Sequence, residues 1–288
     1  MDEPAIRFLI GGVQKCGTTA LAAALARHPG LSLPDRKPGQ PPGSVPVAWA
    51  KEAHVFDGPD FDEAWTPADI DREFALRFSS FGDGRLQGDA TPLSVYHPRV
   101  VERVARYHPA MRWIVLLRDP VERAISHYFM ERARGNERRS LLRAVLAEPA
   151  RLRGSFASFS REAAWRRASY VDRGRYHRQL AVLLARFPRD QVLLLRSRDL
   201  AEAPDAVLPR VFAFLGVDAA AVADGGPEER GQPPVERVFE GDYRSPGALS
   251  PGRLLLGWRL RGEVDALRDA YGVDLSAPGG GMAPDGVP

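Results

Sequence analysis

The sequence predicts an α/β fold, a single domain whose central, mainly parallel sheet is flanked by helices and carries a P-loop-like turn. Three observations predict it. Short apolar runs alternate with helix-periodic segments, which is the pattern of a parallel sheet covered on both faces. A glycine-rich turn joins the first apolar run to the first helical one. The run at 113–117 is apolar throughout, as a strand buried on both faces must be. With 288 residues, 44% hydrophobic and 27% charged, the chain suits one large domain and is too apolar for wholesale disorder.

In chain order, residues 6–10 read as a buried strand, 11–19 as a glycine turn, and 20–27 as an Ala/Leu-rich helix ending at His28-Pro29-Gly30. Proline and glycine dominate 34–46, which reads as loop, and order returns at 51–57 with alternating apolar positions. Residues 69–78 read as helix and 84–88 as a short strand stopping at Thr91-Pro92. Residues 98–107 have helical spacing with proline at a favoured first-turn position. The strand 112–117 leads to Asp119-Pro120, a cap for the helix 121–134. The arginine-rich stretch 135–169 reads as helical in pieces, 176–187 as an amphipathic helix, 191–195 as a strand, and 205–215 as a helix closed by Gly216. Residues 224–252 read as loop and 260–271 as the last helix. The domain is expected over 1–276, followed by a disordered Gly/Pro tail at 277–288.

Composition narrows the function classes. No apolar run approaches the ~20 residues of a membrane span. The first strand begins too early to leave room for a secretory signal, and Cys16 is the lone cysteine, so a cytoplasmic protein without a disulfide is expected. A formal charge of +3 favours anionic ligands but is a poor nucleic-acid signature. Of 40 basic residues only Lys15, Lys37 and Lys51 are lysines, a bias typical of GC-rich coding sequence that makes each lysine worth weighing.

Two motifs carry chemistry. In Gly12-Val13-Gln14-Lys15-Cys16-Gly17-Thr18-Thr19, backbone N–H groups, a helix start, one ammonium and two hydroxyls converge on a phosphate-like anion. The nucleotide P-loop has its lysine directly after the second glycine, whereas here Lys15 precedes Gly17 by two residues. The second motif runs from Arg118, at a strand's carboxyl end where ligands of open α/β sheets gather, to Ser126 in the following helix. The bland alternatives are a plain turn with a surface lysine and a capped helix start.

Together these segments resemble the sulfotransferases that use 3′-phosphoadenosine 5′-phosphosulfate (PAPS), and most of all the heparan sulfate sulfotransferase branch and its bacterial relatives. The loop Lys15-Cys16-Gly17-Thr18-Thr19 is similar to that family's 5′-phosphosulfate loop, and Arg118 with Ser126 to its 3′-phosphate site. Glu52-Ala53-His54-Val55-Phe56-Asp57 resembles the run whose glutamate is the catalytic base, and Gly88-Asp89-Ala90-Thr91-Pro92 a neighbouring Glu-Lys-Thr-Pro segment. Gly174-Arg175-Tyr176 and its sequel keep the family order, so the resemblance spans roughly 5–215 and, weakly, the end. Ala90 stands where the branch often has lysine, which removes a charge and weakens the case for a glycosaminoglycan acceptor. Tyr243-Arg244-Ser245, through Arg244, is the candidate for the third nucleotide-contacting loop.

The resemblance implies a PAPS-dependent transferase that needs no metal and moves a sulfuryl group in line to a hydroxyl, or failing that an amine. Glu52 would be the base, its pKa raised if partly buried. Lys15 would stabilise charge on the bridging oxygen, Cys16 would lend its backbone N–H, and Thr18 and Thr19 would hold the phosphate. His54 would orient Glu52, touch the acceptor, or serve the structure alone. Asp57 and Asp89 read as solvated or capping carboxylates with acceptor contact as the functional option. The expected acceptor is a small hydroxylated molecule, such as a secondary metabolite, or a glycoconjugate. An ATP-dependent phosphotransferase explains the glycine loop but not the displaced lysine or the Arg118 and Ser126 pair. A binding module without turnover is disfavoured by the presence of Glu52. Nucleic-acid binding through the arginines of 131–178 is disfavoured by interleaved glutamates, which suggest a solvated helical face.

Overall fold

Five segments pair into one all-parallel sheet in the order β2-β3-β1-β4-β5. They are β1 (Ile6–Gly12), β2 (Leu31–Ser32), β3 (Leu86–Asp89), β4 (Arg112–Leu117) and β5 (Val192–Arg196). The computed structural model describes residues 3–41, 50–222 and 245–276. The proposed tail 277–288 and most of the loop 224–252 lie outside the described residues.

The topology fixes where a ligand can sit. The chain builds β2 and β3 on one side of β1, then crosses to build β4 and β5 on the other. Loops leaving β1 and its neighbours therefore diverge at their carboxyl ends, and that crevice is the usual binding position in such sheets. Registers Leu9↔Asp89 and Ile10↔Ile114 bring the ends of β3 and β4 level with the glycine turn after β1.

Proline at the first turn and a polar cap define several helices. Thr66 and Asp69 form a capping box for Pro67–Ala75, and Asp119 accepts from the Val121 and Glu122 N–H groups to start Pro120–Ala133. Gly216, at φ 73°, closes Pro204–Leu215. The main core fills both faces of the sheet around Phe8, Trp113, Leu116 and Tyr176. A second core, with Ile125, Tyr128, Val145, Tyr170 and Leu256, joins Pro120–Ala133 to Leu141–Leu152 and Pro251–Leu260.

The sheet is wholly parallel rather than mainly so. Strand β2 was not expected, and two residues carry no periodic signal. Residues 51–57 are irregular, their alternation reflecting burial of Ala53, Val55 and Phe56. The last helix is two helices, Pro251–Leu260 and Glu263–Tyr271, so the expected loop ends at Ser250. Among the described residues no helix is long and apolar enough to cross a membrane.

Candidate active site

The glycine turn is held by β4 and the residue that follows it. Val13 N–H donates to Leu116 O of β4 at 2.9 Å, and Arg118 Nη1 donates to Lys15 O at 3.3 Å. Lys15 at φ 74° and Gly17 at φ 91° are both left-handed, which bends the chain sharply into helix Thr18–Ala26. That helix starts at Gly17 with no side-chain cap and no acidic residue in its first turn. Its leading N–H groups and dipole thus face the crevice in the manner of an anion site. Burial, then the nearby Arg134 and Arg118, push the Lys15 pKa down.

Cys16 differs from expectation. Its N–H donates to Val13 O at 3.1 Å inside the turn, so it is already engaged; the N–H groups of the helix start are the better anion donors. Its buried thiol faces Tyr176, whose hydroxyl donates to Arg118 O at 3.0 Å, and burial raises the thiol pKa to about 11. Thr18 is buried and Thr19 half-buried at the helix start. Ser126 lies on the buried face of Pro120–Ala133, beyond Arg118 at the end of β4. Arg244 lies outside the described residues, while Ser245 is exposed.

A second cluster forms beside the end of β3. Asp89 accepts from the Ala53 and Thr91 N–H groups at 2.8 and 3.3 Å, Thr91 Oγ1 accepts from His54 N–H at 3.2 Å, and Ala90 N–H donates to Lys51 O at 3.1 Å. These bonds pin residues 51–54 to the strand end next to β1. Glu52, 28% exposed, then meets Lys51 Nζ at 2.8 Å and His54 Nε2 at 3.2 Å. His54, 40% exposed and at φ 52°, turns its Nδ1 to Asp57 at 3.0 Å. Asp57 in turn accepts from Arg166 Nη1 at 2.7 Å.

Charge pairing overrides burial here. Burial would raise the Glu52 pKa, but Lys51 and His54 bring it down to about 2. The expected upward shift is therefore reversed, and Glu52 is ionised across neutral pH. Burial opposes the imidazolium of His54, yet Asp57 and Glu52 raise its pKa to about 10. Asp57 is held low despite burial by His54 and Arg166, whereas burial dominates at Asp89 and raises it. Asp57 and Asp89 are thus buried, internally bonded carboxylates and not solvated ones.

Sequence reasoning left out residues that complete this cluster. Lys51 is fully buried, and its ammonium also reaches Ala90 O at 3.2 Å, so the charge missing at position 90 is supplied beside it. Lys37 Nζ donates to Glu52 O at 3.0 Å. The scarcity of lysine pointed to both. Arg166 and Arg173 lay in a stretch expected to be a solvated face, yet Arg173 is fully buried and Arg166 nearly so. Among the described residues, no group of acidic, histidine and cysteine side chains is arranged to hold a metal.

A family model described as the sulfotransferase family matches residues 7–221, and the chain belongs to that family. Membership implies a transferase of sulfuryl groups, with PAPS as the family's sulfate donor. The chain is similar to the bifunctional heparan sulfate N-deacetylase/N-sulfotransferase 4 of Mus musculus, 27% identical over 229 residues, which cover 73% of this chain and 22% of that protein. It is also similar to the membrane-associated sulfotransferase kil1 of Dictyostelium discoideum, 27% identical over 121 residues, covering 42% of this chain and 22% of the relative. The chain spans about a fifth of the length of these curated relatives. A sulfotransferase structure from Alicyclobacillus acidocaldarius superposes with a TM-score of 0.66 at 25% identity, covering 96% of this chain and 98% of that one.

Proposed function

We propose that the protein transfers a sulfuryl group from PAPS to a hydroxyl of a small molecule or glycoconjugate, with Glu52 as general base. One observation carries this reading: the anion-ready turn around Lys15 and the ionised Glu52 stand at the carboxyl ends of adjacent parallel strands, β1 and β3.

The donor supplies an activated sulfuryl group, and residues of this chain provide the rest. The helix start with Thr18 and Thr19 holds the 5′-phosphate, while Arg118 and Ser126 hold the 3′-phosphate. Glu52 accepts the hydroxyl proton as the acceptor oxygen bonds to sulfur and the bond from sulfur to the phosphate oxygen breaks. Lys15 stabilises the charge that grows on that departing oxygen, where an ammonium matters most in the transition state. His54, as imidazolium between Glu52 and Asp57, orients the base. A glycan acceptor gains support from the heparan sulfate enzyme among the relatives and from half-buried Lys37 beside Glu52.

The test is a thermal-shift titration with the desulfonated product, 3′-phosphoadenosine 5′-phosphate (PAP), against ATP plus magnesium. PAP at ~100 times its dissociation constant should stabilise the fold by about 2.7 kcal/mol. Lys15→Ala and Arg118→Ala should weaken that effect. Stabilisation by ATP-magnesium in place of PAP would overturn the reading in favour of a phosphotransferase.

A further inference from the structure

The two halves of the site share a support that neither motif contains. Gln14, next to Lys15 in the glycine turn, accepts through Oε1 from Arg173 Nη1. Arg173 Nη2 donates to Trp165 O at 2.6 Å and to Arg166 O at 2.8 Å. Arg166 then grips Asp57 at both its carboxylate and its carbonyl oxygen. Asp57 holds His54, and His54 reaches Glu52. One unbroken polar chain therefore runs from the donor turn to the acceptor side.

The segment bearing both arginines is itself fixed. Glu148 accepts from the Val171 and Asp172 N–H groups at 2.8 Å each, and Tyr96 OH donates to Asp172 at 2.8 Å. The Arg173 guanidinium lies 4.9 Å from the centre of the Tyr96 ring. A guanidinium anchored this way, with several donors in a rigid plane, transmits displacement better than a flexible ammonium would.

We infer that Arg166 and Arg173 are positioning residues for sulfuryl transfer, tying the place of Glu52 and His54 to the state of the donor turn through Gln14. The inference rests on the function proposed above. Neither arginine needs to touch donor or acceptor. Occupancy of the turn moves Gln14, and the shared segment passes that movement to Asp57 and His54. Contacts in series amount to coupling only when a change at one end is read at the other.

The experiment reads the histidine ring signals by NMR during a PAP titration, with His54 assigned by its loss in His54→Gln. The chain has six histidines, and His177, paired with Glu263, is the internal reference. In the wild type PAP should move the His54 ring signals and leave those of His177 in place. In Gln14→Leu and Arg173→Met the His54 movement should vanish although PAP still stabilises the fold. If Arg173→Met does not fold, Gln14→Leu carries the test alone. Failure of PAP to bind the wild type would sink the proposed function itself. Binding with His54 unmoved, or movement that persists in the variants, would overturn the positioning role and leave the proposed function standing.

Discussion

Lys51 presents no side-chain surface to solvent, and its ammonium lies 2.8 Å from Glu52 Oε1, so the proposed base is held by a cation on the inner side and open on the outer. Such a pair is asymmetric in its energetics. Removing the carboxylate would leave a buried ammonium bonded to Ala90 O, and removing the ammonium would leave a carboxylate with half its partners.

Lys51→Met should raise the Glu52 pKa, because Lys51 is the largest influence lowering it. With the Glu52 pKa at about 2, the wild type should show no acid limb from this group above about pH 4. The variant should show one, its half-maximum moved up by at least about one pH unit. A pH profile of PAP release with a working acceptor checks this, and an unmoved limb would remove Lys51 from the chemistry.

Glu52→Gln keeps shape and one acceptor oxygen but cannot take a proton at neutral pH. Turnover should fall by about 10²–10⁴-fold, the range of a general base, while PAP still stabilises the fold as in the wild type. Full activity in Glu52→Gln would show that the base is elsewhere.

How much of this was legible depended on distance along the chain. Strand β4 and helix Pro98–Tyr107 were readable to the residue, because an unbroken apolar run and a proline at a helix start are local signals. Helix Pro251–Leu260 was not: it buries Gly252, Leu256 and Leu260 but exposes Leu254 and Trp258, which blurs its apolar stripe. In the site, Lys15, Glu52 and His54 stood inside motifs. Arg166 pairs with Asp57 across 109 positions, and nothing local separates it from the exposed arginines around it. The direction of the Glu52 pKa was hidden for the same reason, since burial was foreseeable and its compensating partners were not.

Lys15 combines the ammonium proposed to stabilise the departing oxygen with an unfavourable backbone. A residue other than glycine at φ 74° costs roughly 1–2 kcal/mol, a strain glycine does not feel. Lys15→Gly and Lys15→Ala both remove the ammonium, so their difference isolates the backbone. The glycine variant should be the more stable by about 1 kcal/mol, visible as a higher Tm, and both should lose turnover. Equal stability would mean the turn relaxes out of its left-handed form.

Glu148 gives the fold a pH dependence of its own. It is buried, and burial raises its pKa from 4.5 to about 7 although the two N–H groups it accepts from, those of Asp172 and Val171, pull it down. Between those values the folded state holds a proton that the unfolded chain releases, so stability must fall as pH rises from 4.5 to 7. The full shift corresponds to a loss on the order of 3 kcal/mol. Glu148→Gln keeps an acceptor oxygen for the Val171 and Asp172 N–H groups and cannot ionise. It should match the wild type near pH 4, where Glu148 is neutral in both states, and exceed it at pH 8 by several degrees in Tm. A variant less stable than the wild type at pH 8 would mean the two N–H groups require a full negative charge. In that case the segment that holds Arg173 would be fastened by an ionised carboxylate, and acid rather than base would loosen it.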